Sequence, residues 1–177
     1  YGPLQTTIDY GIAQNRYKKD LCNDFDVEDL SNYIKPERDL QFTYLGIKTA
    51  IDKYLTRDAL GQTFELPQHM FMMIAMFLAS KEKPKDKQQK AKDFYDVISK
   101  FEVMVATPTL SGARKIRSQL SSCFIGSAPD NIEGIFDSYK EMSLLSKFGG
   151  GIGWDWNEVR CRSSVIDNNV NAAGGTT

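Results

Sequence analysis

The sequence predicts a mixed α/β chain, in which a helical domain is followed by the first strand, helix and strand of an α/β domain. Before position 105 the apolar residues recur at helical spacing, with no run of strand-like alternation. After Val105 the sequence contains turn-forming residues and two short segments of strand-like alternation, which are separated by a segment of helical spacing. That order leaves room for a parallel crossover. We therefore predict a helical domain, 1–105, and the start of an α/β domain, 106–177.

The composition indicates a chain with a sizeable core and nearly balanced charge. The 177 residues are 41% apolar, and 22 Lys plus Arg against 23 Asp plus Glu give a formal net charge of −1. Nucleic-acid-binding modules usually carry a basic surplus for phosphate contacts, so we expect no nucleic-acid partner. The longest apolar run, from Phe71 to Ala79, is about half of a membrane span, so we expect no membrane partner.

Three helices are predicted in the first domain. The first covers 44–55, where apolar residues recur at steps of three and four. The second starts at Pro67, because proline is tolerated in a first helical turn, and its apolar composition indicates burial. The third covers 87–101. The second helix carries methionines that suit either core filling or an adaptable binding surface, namely Met70, Met72, Met73 and Met76.

The second domain is predicted to begin with turns at 106–112. A strand-like alternation follows at 119–125, with Leu120, Ser122 and Phe124 on one side. Asp130 and Glu133 have the spacing of a capping box, which predicts a helix with Asp130 as its N-cap. We expect that helix to end at Gly149, because a left-handed C-terminal cap needs no Cβ, and a second strand to follow at 152–156.

Two features of the second domain are candidates for chemistry. The glycine-rich run 149–153 lacks the Lys and Ser/Thr of a P-loop and follows a helix, which excludes a P-loop and a dinucleotide fingerprint. It is either a helix-ending turn or a backbone that a ligand approaches, with N–H groups able to point at an anion. Cys123, which follows two serines, is either an inert buried thiol or a reactive one.

No metal site or disulfide framework is predicted within the chain. The three cysteines, Cys22, Cys123 and Cys161, are an odd number at wide spacings, and His69 is the single histidine. These residues lack the spacing of zinc ligands. The cysteine usage favours a reducing, cytoplasmic setting, and we expect a structural or surface role for His69.

Four motifs in one order resemble the large (α) subunit of class I ribonucleoside-diphosphate reductase. They are Ala-Thr-Pro-Thr-Leu at 106–110, Gln-Leu-Ser-Ser-Cys-Phe at 119–124, Asp-Asn-Ile-Glu-Gly at 130–134 and Gly-Gly-Gly-Ile-Gly-Trp-Asp-Trp at 149–156. Upstream, the segments 42–44 and 94–96 resemble the helical domain of that subunit. The resemblance implies a ten-stranded α/β barrel, and the chain is then expected to be a truncated N-terminal fragment that holds the first strand, helix and strand.

The resemblance also implies an activity and the residues that serve it. The family reduces ribonucleoside diphosphates to deoxyribonucleoside diphosphates for DNA synthesis by thiyl-radical chemistry. Cys123 matches a catalytic cysteine, one of two that give up reducing equivalents and form a disulfide, which thiol exchange restores. The substrate-binding positions implied are Thr107, Ser122, Cys123 and Gly151. The effector-binding positions implied are Asp130, Asn131, Ile132 and Arg160.

Partners and cofactors follow from the same resemblance. A small (β) subunit would hold a di-metal radical cofactor, thioredoxin or glutaredoxin would be the reductant, and ATP or a dNTP would be the allosteric effector. Large subunits would form a homodimer, and this chain itself would bind no metal. The radical cysteine is expected beyond Thr177, so we expect the chain alone to be inactive. Two alternatives remain, a stand-alone nucleotide-binding regulatory module without catalysis and a purely helical interaction domain.

Overall fold

The computed structural model describes residues 1–175, which form two compact units. The first unit is Tyr1–Leu120, and the second begins at Ser121. This division differs from the one predicted after Val105. The physical reason is that Leu110 and Ala113 belong to the hydrophobic core of the first unit, so the segment after Val105 packs with the helices.

Helices build the first unit, as predicted. The α-helices are α1 Leu4–Ala13, α2 Val27–Tyr33, α3 Tyr44–Thr49, α4 Pro67–Ala79, α5 Lys87–Ser99 and α6 Thr107–Gly112. A 3₁₀-helix covers Pro36–Gln41 and a π-helix covers Ala50–Tyr54. Over residues 1–175, none of the helices has both the length and the apolar character that a bilayer crossing requires.

The centre of the helical core is α4. Pro67 lies in its first turn, as predicted, and every residue from Pro67 to Met76 is buried. α5 packs along this helix, and α4 shares its core with Leu4, Ile8 and Leu30. The four methionines of α4 are at most 1% exposed, which confirms the core-filling alternative. Burial of each such side chain contributes about 1.5–3 kcal/mol relative to exposure.

The helices α1 and α2 are not among the three predicted helices, and two further stretches of the first unit differ from the prediction. The helix predicted over 44–55 is α3 continued by the π-helix, whose last turn closes with the Leu55 N–H donating to the Ala50 carbonyl at 2.8 Å. Tyr44 and Ile51 are exposed, so the predicted apolar face is not continuous. The stretch 106–112, predicted as turns, forms α6 instead. Proline is tolerated there because it lies in the first helical turn, where no intrahelical N–H bond is lost.

The second unit has the predicted order of strand, helix and parallel strand. β1 is Cys123–Ser127, α7 is Ile132–Lys147 and β2 is Gly151–Asp155. The strands are parallel and pair in register from Cys123 opposite Gly151 to Ser127 opposite Asp155. β1 begins later than the predicted 119–125, because β2 offers a pairing partner only from Gly151 onward. Phe124 faces the partly buried side of β1, whereas Ile125 on the other side is 91% exposed.

Of the two helix caps predicted for α7, the structure confirms the C-terminal one and not the N-terminal one. The C-terminal prediction is confirmed, because Gly149 has a φ of 86° and the N–H groups of Gly149 and Gly150 donate to the carbonyls of Ser146 and Leu145. The N-terminal prediction is wrong. Asn131 is the N-cap, and its Oδ1 accepts from the Gly134 N–H at 2.8 Å. The Asp130 carboxylate is occupied elsewhere, by Arg160.

Candidate functional site

The thiol of Cys123 is exposed at the first residue of β1. Its Sγ lies 3.5 Å from the Ser122 Oγ, and its register partner on β2 is Gly151. The Gly151 N–H donates to the Ser122 carbonyl at 2.7 Å. Three of the four predicted substrate-binding residues, Ser122, Cys123 and Gly151, therefore lie together where the two strands begin.

The glycine-rich run serves as a helix-ending turn. The backbone N–H groups of Gly149, Gly150 and Gly151 all donate to protein carbonyls, so they do not form the anion-binding group that was one alternative. Position 151 favours glycine for a steric reason. A Cβ at this position would lie 3.2 Å from the Ser122 carbonyl oxygen, closer than most side chains approach a neighbour. Glycine keeps this surface beside Cys123 open, which suits close approach by a ligand.

The fourth predicted substrate-binding residue, Thr107, belongs to the first unit. It is the first residue of α6, it is exposed, and its Oγ1 lies 3.4 Å from the Tyr54 Oη. The structure therefore describes Thr107 separately from Ser122, Cys123 and Gly151. Its role in one substrate site with them stays a prediction.

The predicted effector residues surround the N-terminal end of α7. The Arg160 Nε donates to both carboxylate oxygens of Asp130, at 3.0 and 2.8 Å, and the Arg160 backbone N–H donates to the same carboxylate at 3.0 Å. Asn131 caps the helix, and Ile132 is largely exposed. The two charged members of the predicted effector site are therefore bound to each other.

This ion pair has a defined dependence on pH. The pKa of Asp130 is lowered, first by the hydrogen bond from the Arg160 backbone N–H and then by the Arg160 guanidinium. A lowered pKa means that the pair stabilises the folded unit above the ordinary titration range of aspartate, and that this contribution is lost as the pH falls through the lowered value. At neutral pH the contact between α7 and the segment after β2 is therefore intact.

Asp130→Ala should loosen the segment that follows β2. We expect the Arg160 amide to exchange its hydrogen several-fold faster, because the substitution removes the acceptor of that N–H. Hydrogen exchange of the 177-residue chain, followed at this amide, measures the effect. Glu158→Ala is the matched control, since Glu158 is an exposed carboxylate of the same segment and should leave the exchange rate unchanged. Equal rates in Asp130→Ala and the unaltered chain would show that the pair does not hold this segment.

The other sulfur and imidazole groups lack an evident role in chemistry. Cys161 is exposed with its Sγ 3.3 Å from the Ser164 Oγ, and Cys22 is partly buried, with its pKa raised by burial and by Asp9. His69 is 2% exposed, burial lowers its pKa, and its Nδ1 lies 2.9 Å from the Thr7 Oγ1, which confirms a structural role. In the described part of the chain, no three or more His, Cys, Asp or Glu side chains are grouped as metal ligands.

A buried ion pair near Thr107 was missed by the sequence reasoning. Arg114 is 0% exposed and pairs with Glu65, which is 1% exposed. No pattern in the sequence links two charged residues so far apart along the chain.

Two family models match this chain, one in each unit. Residues 40–118 match the model described as "Ribonucleotide reductase, all-alpha domain", and residues 121–177 match the model described as "Ribonucleotide reductase, barrel domain". The chain belongs to the ribonucleotide reductase family. The two matches meet between residues 118 and 121, at the division between the compact units. The predicted fold class, a helical domain followed by the start of the reductase barrel, is confirmed.

The curated relatives of this chain are large (α) subunits of ribonucleoside-diphosphate reductase. A protein of Helicobacter pylori (strain ATCC 700392 / 26695), named ribonucleoside-diphosphate reductase subunit alpha, is 57% identical over 176 residues, or 99% of this chain and 22% of that protein. A protein of the same name from Treponema pallidum (strain Nichols) is 43% identical, over 85% of this chain and 18% of that protein. Another from Enterobacteria phage T4 is 32% identical, over 90% of this chain and 22% of that protein. The chain spans about a fifth of the length of these reductase relatives.

Proposed function

We propose that this chain acts as part of a ribonucleoside-diphosphate reductase large subunit, in which Cys123 is one of the thiols that reduce the substrate. The exposure of Cys123 at the start of β1, beside Ser122 and opposite Gly151, carries the proposal. An accessible thiol can be oxidised and then restored by thiol exchange, whereas a sealed thiol cannot. The names of the relatives supply the substrate class, a ribonucleoside diphosphate.

The proposed reaction replaces the 2′-hydroxyl of the ribose by hydrogen and releases it as water. Two thiols lose two electrons and two protons and become a disulfide, so the atoms and electrons balance. Cys123 is one of these thiols. The second thiol, and the radical cysteine that the resemblance implies, would be supplied by parts of the large subunit outside this chain. The chain alone is therefore expected to be inactive.

The hydroxyl groups of the predicted substrate-binding residues suit the binding of a nucleoside diphosphate. Ser122 and Thr107 each offer an O–H that can donate to a ribose or phosphate oxygen. Both side chains are exposed. Gly151 adds no side chain beside Cys123, which leaves room for the sugar to approach the thiol.

The effector and the partners belong to the same proposal. ATP or a dNTP would bind at Asp130, Asn131, Ile132 and Arg160, where a helix N-terminus and a guanidinium favour phosphate. A small subunit would provide the di-metal radical cofactor, and thioredoxin or glutaredoxin would reduce the disulfide in a cytoplasmic setting. The exposed apolar side chains of α7, among them Phe136 and Tyr139, offer a surface that a second large subunit could cover.

The proposal is tested with a large subunit of the relatives' length that contains this sequence. With a small subunit, thioredoxin and an effector, we expect it to convert ribonucleoside diphosphates to the deoxy products, measured by chromatography. The 177-residue chain in the same mixture should form none. Absence of product from the complete mixture with every ribonucleoside diphosphate would contradict the proposal. Tight dTTP binding by the isolated chain in calorimetry, together with that absence, would favour a regulatory module.

A further inference from the structure

The buried Glu65–Arg114 ion pair joins separate segments of the first unit. The Nε and Nη2 of Arg114 donate to the two carboxylate oxygens of Glu65. Burial alone would lower the pKa of Arg114, but the Glu65 carboxylate raises it above its usual value, so the guanidinium stays charged. Charge-assisted pairs with two parallel hydrogen bonds fix geometry as well as charge. This pair can therefore hold other groups in place.

The remaining donors of Arg114 reach two elements near Thr107. Nη1 donates to the Leu110 carbonyl of α6 at 2.6 Å, and Nη2 donates to the Tyr54 carbonyl at the end of the π-helix at 2.9 Å. The Glu65 Oε2 in turn accepts from the Thr56 N–H at 2.7 Å. A single buried side chain thus fixes the end of the π-helix and the helix that starts at Thr107.

The two elements that Arg114 joins carry a pair of hydroxyl groups. The Tyr54 Oη lies 3.4 Å from the Thr107 Oγ1. Tyr54 also lines an apolar cavity of about 550 Å³, whose walls include Phe71 and Leu110. The contact with Thr107 and the bond from Arg114 to the Tyr54 carbonyl both constrain where the phenol lies.

The direction of this hydrogen bond matters for an anionic ligand. A threonine hydroxyl has one proton to donate, and a phosphate oxygen that carries no proton can only accept. If Thr107 gave its proton to Tyr54, it could not donate to a phosphate. When Tyr54 donates to the Thr107 Oγ1 instead, the Thr107 proton remains for the ligand.

We propose that Tyr54 is a positioning residue, held by the Glu65–Arg114 pair, which donates to the Thr107 Oγ1 and thereby directs the Thr107 O–H at a phosphate of the substrate. This inference rests on the proposed function, because it takes Thr107 to contact a nucleoside diphosphate. Tyr54 itself need not touch the substrate. Its loss should therefore weaken substrate binding without slowing the chemical step.

The test compares variants of the full-length large subunit, assayed with its small subunit and thioredoxin. Tyr54→Phe should raise KM for the nucleoside diphosphate roughly two- to tenfold, the range expected for one neutral hydrogen bond, with kcat and Tm unchanged. Thr107→Val should raise KM as well, and adding Tyr54→Phe to it should have no further effect. Thr107→Ser keeps the hydroxyl and should stay sensitive to Tyr54→Phe. Tyr44→Phe removes the hydroxyl of an exposed tyrosine on α3 and is the matched control.

The outcomes separate this inference from the proposed function. A raised KM in Thr107→Val with an unchanged KM in Tyr54→Phe would overturn the positioning role and leave the substrate role of Thr107 intact. Additive effects of the two substitutions would also overturn the positioning role. An unchanged KM in Thr107→Val would overturn both assignments, while leaving the redox role of Cys123 to its own test.

Discussion

Cys123→Ser should reduce multiple turnover by the full-length large subunit to the level of an enzyme-free control. A serine hydroxyl cannot join a disulfide, so the two reducing equivalents needed for each product cannot both be supplied. The substitution is close to isosteric and lies at an exposed strand end, so the fold should be preserved. Steady-state formation of deoxynucleotide, with thioredoxin in excess, measures the effect.

Cys161→Ser is the matched control for this experiment. Cys161 is also an exposed free thiol of the second unit, but it lies outside both strands. Its replacement should leave the rate unchanged. A Cys123→Ser enzyme that turns over like the unaltered one would exclude the redox role of Cys123.

Arg114→Met should lower the free energy of unfolding of the 177-residue chain by about 3–5 kcal/mol, because it leaves a buried carboxylate without its partner. The carbonyls of Tyr54 and Leu110 also lose a donor. Urea unfolding followed by far-ultraviolet circular dichroism, which reports the helices, measures the change.

Two further variants show whether the Glu65–Arg114 pair is responsible. Arg117→Met makes the same substitution at an exposed position and should change the free energy of unfolding by at most about 0.5 kcal/mol. The double variant Glu65→Leu with Arg114→Met should lose less than the sum of the single losses, because no unpaired charge remains buried. An Arg114→Met chain that unfolds at the same urea concentration as the unaltered chain would contradict this account.

The parts of the fold that depend on neighbouring residues alone, such as helix ends at proline and glycine, were predicted from the sequence. The start of α4 at Pro67 and the turn at Gly149 that terminates α7 follow from the restricted φ of proline and from the ease with which glycine adopts a positive φ. Periodicity and apolar composition identified α4 and α5, since a helix face repeats along the sequence, but α1 and α2, which bury Leu4, Ile8 and Leu30, were not predicted.

The errors occurred where a distant residue decides the local structure. Asp130 has the side chain and spacing of an N-cap, but Arg160 binds its carboxylate and Asn131 caps α7 instead. The segment 106–112 contains turn-forming residues, yet it is helical, because Leu110 packs in the core with α4 and because Arg114, which binds the Leu110 carbonyl, is held by the distant Glu65. Single-sequence patterns do not contain such long-range pairings.

The candidate site was predictable only in part for the same reason. The resemblance identified Cys123, Ser122 and Gly151, and the structure places these residues together at the start of the paired strands. The contact between Tyr54 and Thr107 had no counterpart in any motif, because the two residues are 53 positions apart along the chain.

The oxidation state of Cys123 after one turnover tests the central claim most directly. The full-length large subunit is reduced, freed of reductant, and mixed with its small subunit, an effector and a ribonucleoside diphosphate. Exposed thiols are then alkylated and quantified by peptide mass spectrometry. We predict that Cys123 becomes protected from alkylation in proportion to the product formed, whereas the exposed Cys161 stays fully alkylated. Product formation with Cys123 still alkylated to the same extent as Cys161 would contradict the account.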